Sequence, residues 1–179
     1  LNLLTYFNLQ CSIYLNGKKL KIPIIEKVGF SNLNTTEIWM IDLLKIILPI
    51  ENKNFIDIGV NIGQTLLKVK SVSSEIEYLG FEPNPLCVHY TSRLISKNKF
   101  KNITMISSGV SNVNELGLLS FFSESDYDSS ASMIENIRPS QEIVKNQYVP
   151  MLNMEEIDKT ILIDSASILK IDVEGAELE

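Results

Sequence analysis

The sequence predicts an α/β protein built around a parallel sheet. Residues 54–108 read as strand, helix, strand, helix, strand, the pattern of parallel βαβ units. A glycine-rich turn joins the first of those strands to its helix. The same rhythm returns at residues 167–173 after an interruption, and Gly175-Ala176-Glu177 opens a further helix.

Before that core, residues 11–15 and 20–25 are apolar runs separated by Asn16-Gly17, a strong hairpin signal. Residues 34–48 predict a helix. Asn34, Thr35 or Thr36 would cap it, Ile38, Ile41, Leu44 and Leu48 would form its inward face, and Pro49 would end it. Trp39 is expected to be a core anchor of this helix. Glu37 would reach a site at the strand ends only if the helix packs over them.

In the core, strands are expected at 54–60, 77–81 and 103–107, with helices at 64–72 and 86–98. Residues 110–152 break the alternation and read as an insertion. Strands at 116–122 and 147–152, as a possible antiparallel pair, flank a polar loop over 123–132. The organisation expected is thus a hairpin-and-helix extension over 1–53 and a ligand-binding domain over 54–179. The chain begins without methionine and stops within the first turn of a helix, so it reads as a fragment.

The chain has 179 residues, enough for one domain with a sizeable core. Sixteen basic and twenty-two acidic residues leave a net charge of −6, which argues against a nucleic-acid partner. No stretch has the roughly 18 apolar residues of a membrane span, and the N-terminus lacks a basic region before its apolar residues. Cys11 and Cys87 offer neither a CxxC metal site nor a disulfide framework, in keeping with a reducing cytoplasm.

The chemistry concentrates at two places. The first is Asp57-Ile58-Gly59-Val60-Asn61-Ile62-Gly63 with Glu82 ending the next strand. A glycine turn at a helix N-terminus admits a polar ligand, and an acidic residue there can accept both hydroxyls of a ribose. An adenosine-containing ligand follows. Asn61 and Gln64 stand where a dinucleotide fingerprint has glycine, and their side chains would crowd a pyrophosphate. Asp57 could instead meet a positive amino group, such as the methionine end of S-adenosylmethionine. The purely structural alternative is that the glycines only turn a tight corner.

The second place is Lys170-Ile171-Asp172-Val173-Glu174-Gly175-Ala176-Glu177. Its carboxylates could act as base, substrate anchors or ligands of a divalent cation, or could simply complement a helix dipole. His89, the sole histidine, falls inside a helix and reads as a surface or half-buried residue rather than a general base. Ser129-Ser130-Ala131-Ser132 has no partner base for a nucleophile and reads as a surface loop, with lining a cleft as the alternative.

Residues 55–65, Gly80-Phe81-Glu82-Pro83-Asn84-Pro85 and 170–177, in this order, resemble the FkbM-type methyltransferases. The resemblance implies a Rossmann-like class I methyltransferase fold with strand order 3-2-1-4-5-7-6, cut off here after strand 4. It implies S-adenosylmethionine as cofactor and O-methylation of a sugar or other small-metabolite hydroxyl; a divalent metal is possible. The cofactor residues it implies are Asp57, Gly59, Asn61, Gly63, Glu82, Pro83 and Asn84, with Ser108 and Gly109 near the adenine. Asp172, Glu174 and Glu177 would face the acceptor, with Asp172 as the base. A nicotinamide-dependent oxidoreductase and a non-catalytic adenosine-binding domain are the alternatives.

Overall fold

Asn16 and Gly17 both take positive φ, 48° and 74°, which suits the twist of a two-stranded ribbon. Around them β1 (Leu9–Leu15) and β2 (Lys18–Ile24) pair antiparallel, with Leu15 opposite Lys18. The computed structural model describes residues 9–25, 28–49, 54–124, 131–133, 140–161 and 167–173.

Helix α1 (Ile38–Ile47) ends just before Pro49, as expected. Its start differs. Glu37 takes the N-cap with φ 52° and no side-chain cap bond, while Asn34 and Thr36 close a tight backbone turn ahead of it. The inward face is Ile41, Leu44 and Leu48, all buried, whereas Ile38 and Trp39 are about 60 % exposed. Trp39 is therefore not a core anchor. It lies off the stripe that Ile41 and Leu44 set.

The core elements then follow: β3 (Asn54–Ile58), α2 (Gln64–Val72), β4 (Glu77–Phe81), α3 (Pro85–Asn98) and β5 (Ile103–Ile106). Helix α3 begins where its sequence dictates. Asn84 Oδ1 accepts from the Leu86 N–H at 3.0 Å and Pro85 opens the first turn. Three strands come next, β6 (Gly109–Ser111), β7 (Glu115–Phe121) and β8 (Lys145–Asn153), then α4 (Met154–Ile161) and β9 (Ser167–Ile171).

Four strands form one parallel sheet in the order β5-β4-β3-β9. The short β6, β8 and β7 form a separate sheet in that order, with β7 and β8 antiparallel as expected. Besides a single 3-10 turn at Ser31–Leu33, two elements escaped the sequence reading. Strand β6 exists only through pairing with β8 some forty positions on. Helix α4 was signalled by Asn153, whose Oδ1 accepts from the Glu155 N–H at 2.8 Å, with Glu155 and Glu156 in the first turn.

Over β3 and β4 both faces of the parallel sheet are covered, which is why these strands read as largely apolar runs, whereas Leu169 and Ile171 of β9 stay about half exposed. Phe55 and Tyr78 face α1 and α2, packing with Leu44, Leu66 and Val69. Ile56, Ile58, Leu79 and Phe81 face the other way, towards Ile157 of α4. The hairpin adds Leu20, Ile22 and Ile24 to a cluster with Leu67 and Leu94. At the far end from the strand tips, Lys70 is buried and donates to the carbonyls of Ile76 at 2.6 Å and Lys101 at 2.7 Å. Among the described residues no helix is long and apolar enough to cross a membrane.

Two neighbours on α1 therefore answer differently to truncation. Leu44→Ala should cost about 2–5 kcal/mol in denaturant unfolding. Trp39→Ser should change stability by no more than about 0.5 kcal/mol.

Candidate functional site

The parallel strands end together at one side of the sheet, and there a cleft of about 1030 Å³ opens. Its walls come from the turn after β3, the end of β4, the start of β6, the β7–β8 sheet and the end of β9. Gly59, Asn61, Glu82, Pro83, Asn84, Ser108, Gly109 and Asp172 all line it. The sequence motifs, distant along the chain, are thus brought to one place. Asp57 and Gly63 are not on the wall. Glu174, Glu177, Ser129 and Ser130 lie outside the described residues.

Glu82 is the most organised of these groups. Its Oε2 accepts from the Asn61 N–H at 2.7 Å and its Oε1 from the Asn84 N–H at 2.8 Å. Asn61 presents its N–H this way because it takes φ 50°, a conformation asparagine tolerates better than most residues. Thr91 Oγ1 donates to the Asn61 carbonyl at 2.9 Å and holds the turn from behind. Burial pushes the Glu82 carboxyl up to about 7, against the opposing pull of the two N–H donors. Between about pH 4.5 and 7 the folded chain therefore binds more protons here than the unfolded one. The contribution of Glu82 to stability accordingly falls as pH rises across that window.

The glycines of the turn are used by the protein itself. Gly59 has φ 88°, and a Cβ there would stand 2.0 Å from the carbonyl oxygen of Asp172. A Cβ on Gly63 would meet Leu94 Cδ2 at 3.0 Å, and one on Gly109 would meet Met151 Sδ at 2.5 Å. Four of the turn's backbone donors are spent as well. The N–H groups of Gly59 and Val60 both reach the Phe81 carbonyl, Gly63 donates to Val60, and Asn61 to Glu82.

Asp57 is fully buried beneath the cleft. Tyr78 donates its hydroxyl to Asp57 Oδ2, and Lys170 Nζ stands 3.1 Å from Oδ1. Burial raises the Asp57 carboxyl while Lys170 and Tyr78 oppose the rise. The same Lys170 ammonium lies 3.4 Å from Asp172 Oδ2. Asp172 itself is 65 % exposed by side chain, at the cleft wall, with its N–H bonded to the Ile58 carbonyl. Lys170 was present in the motif without an assigned role; its position opposite Asp57 in the β3–β9 register reveals one.

Ser108 is buried at the cleft wall, and among the described residues its hydroxyl has no partner. Ser132 is also buried there, bridged to Ser120 through both backbone groups. It belongs to the cleft rather than to an open surface loop. His89 is exposed on α3 and away from the cleft. Glu37 does line it, so α1 packs close enough for that residue to arrive.

Comparison with known proteins adds one finding. The model of a family described as the Methyltransferase FkbM domain matches residues 57–179. The chain belongs to the FkbM methyltransferase family. Neither the curated proteins nor the solved structures yield a match. The FkbM match begins at Asp57 and so takes in the turn, Glu82, the β6–β8–β7 sheet and the β9 motif. The hairpin and α1, including Glu37, lie ahead of it. Among the described residues no group of three His, Cys, Asp or Glu side chains is arranged to hold a metal ion.

The Gly59 geometry separates two glycines with similar backbones. Gly59→Ala should cost about 2–4 kcal/mol or prevent folding, since strain and a backbone clash coincide. Gly17→Ala, with φ 74° but open space around it, should cost only about 1–2 kcal/mol. Thermal or denaturant unfolding of the two variants checks the difference.

Proposed function

We propose that this FkbM chain binds S-adenosylmethionine in the cleft and methylates a hydroxyl of a sugar or another small metabolite. Charge carries the reading. Among the described residues the cleft is lined by Glu37, Glu82, Glu115, Glu155 and Asp172, against Lys170 as the one cation. A sulfonium with an ammonium group suits that wall, whereas a dinucleotide's pyrophosphate would be repelled. The turn after β3 also has few donors left for phosphate oxygens, which speaks against a nicotinamide cofactor.

The individual residues fit the adenosine half. Glu82 has each oxygen fixed by one N–H and retains lone pairs for two ribose hydroxyls. The buried Ser108 hydroxyl lacks a partner that an adenine nitrogen can provide. Pro83 and Asn84 continue the wall beside Glu82, and Gly109 continues it beside Ser108. The order β5-β4-β3-β9 is that of strands 3-2-1-4 in a class I methyltransferase, and this supports that fold for residues 54–179. The separate β6–β8–β7 sheet supports reading 110–152 as an insertion in it. The described part of the extension over 1–53, the hairpin and α1, then packs beside it. A cytoplasmic setting accords with the two widely spaced cysteines.

S-adenosylmethionine supplies a methyl group on a sulfonium leaving group. The chain must align a hydroxyl with it, exclude water and accept the hydroxyl proton. Asp172 is the residue for that proton. It is the carboxylate on the wall at the end of β9, and Lys170 beside it holds it in place. Glu174 and Glu177 are the further candidates for orienting the acceptor or a divalent cation.

Two experiments test this. Asp172→Asn should lower methyl transfer at least about 100-fold with S-adenosylhomocysteine affinity unchanged, by enzymatic rate and calorimetry. Lost affinity would place Asp172 with the cofactor, and an undiminished rate would remove it from proton transfer. Glu82→Gln should weaken S-adenosylhomocysteine binding by about 1–3 kcal/mol. Ribose hydroxyls prefer the ionised carboxylate, so wild-type affinity should strengthen as pH rises through about 7. The variant should lack that dependence. Binding of NAD and not of S-adenosylhomocysteine would overturn the cofactor assignment.

A further inference from the structure

Asp57 was the residue suited by sequence to a positively charged amino group, but its carboxylate is fully buried and occupied by Tyr78 and Lys170. An α-amino ammonium in the cleft needs another carboxylate near the turn after β3. Glu37 lines the same cleft as Ser31, Asn61, Ile62 and Gln64, and its partner Lys68 lies one turn along α2 from Gln64.

Three features set Glu37 apart. Its backbone is held at φ 52°, a costly conformation for a residue that is neither glycine nor asparagine, and its side chain makes no cap bond to repay it. Lys68, itself almost fully buried, reaches Oε2 at 2.5 Å and fixes the carboxylate's direction. That bond engages one oxygen only. The side chain remains half-exposed at the cleft, and among the described residues Oε1 has no partner. Hydrogen bonding to Lys68, with its charge and the more distant charge of Lys170, lowers the Glu37 carboxyl and keeps it ionised.

We infer that Glu37 receives the α-amino group of the cofactor's methionine end. The inference rests on the S-adenosylmethionine reading above and assigns a role to the part of the chain ahead of the family match. The ammonium donates to Oε1 while Lys68 retains Oε2. The hairpin and α1 thereby act as more than a cover, because they carry one end of the cofactor site.

The test compares ligands that share the adenosine half. S-adenosylhomocysteine carries the amino-acid end, and 5′-methylthioadenosine lacks it. In calorimetric titration Glu37→Gln should weaken the first by roughly 10- to 100-fold, as expected for a lost charge-assisted bond. Binding of the second should be unchanged, which also shows that the variant is folded. A deaminated S-adenosylhomocysteine should bind wild type and variant alike. If Glu37→Gln does not fold, Glu37→Gln with Lys68→Met removes both charges of the pair and is read in the same way. Unchanged S-adenosylhomocysteine affinity, or equal losses for both adenosine ligands, would overturn the assignment and leave Glu37 only the partner of Lys68. A wild-type chain that binds methylthioadenosine no more weakly than S-adenosylhomocysteine would overturn it too. If wild type binds neither ligand, the cofactor reading itself falls, and this assignment with it.

Discussion

A carboxylate with no exposed surface lies in a central strand of the parallel sheet, and the site above it depends on how that charge is met. Asp57 on β3 is held by Tyr78 from β4 on one side and Lys170 from β9 on the other. These bonds run across the sheet and agree with its register, in which Asp57 lies opposite both Gly80 and Lys170. A slip of one residue in either neighbour would turn Tyr78 or Lys170 to the other face and strip Asp57 of that partner. A buried charge stripped of its partner costs several kcal/mol, so the arrangement enforces one register more than it adds net stability. Lys170 also extends to Asp172, so the position of a cleft carboxylate follows from a buried one.

The turn after β3 is tight for reasons internal to the protein. The end of β9 approaches so closely that the Asp172 carbonyl fills the space a Gly59 side chain would need. The same turn delivers the Asn61 N–H to Glu82. Glycines and a positive-φ asparagine thus build the site indirectly, by placing two carboxylates at the strand ends. Those carboxylates line the cleft with the rest of its acidic wall and the Ser108 hydroxyl, which has no partner among the described residues, while the glycines pack against the protein itself.

Much of this was readable in the chain. The Asn16-Gly17 hairpin and the α2 and β4 boundaries emerge from local chemistry, since turn residues and apolar periodicity act over a few positions. Errors arose where the deciding partner is remote. Trp39 has the composition of a core residue, but only the neighbours of α1 determine which of its faces is covered. Three residues of β6 carry no signal until β8 lies beside them. Ser132 in a polar stretch reads as surface until Ser120 pairs with it. Helix α4 is a different case, because the Asn153 cap and the two glutamates after it were a local signal left unread.

Sequence alone determined the α/β class with its parallel sheet and the family, because periodicity and motif spacing are properties of the chain itself. It could also mark Asp57, Glu82 and Asp172 as chemically unusual. Only the tertiary structure decided what each does with its charge. Whether a carboxylate is sealed in, half-sealed or open depends on which elements cover it, and those elements come from elsewhere in the chain. Asp57 is closed off by β4 and β9, Glu82 is gripped by two backbone donors at the cleft, and Asp172 stands open. Glu37 carries no motif at all. It reaches the cleft because α1 packs against α2 and brings it to Lys68, a juxtaposition created by packing and invisible to spacing.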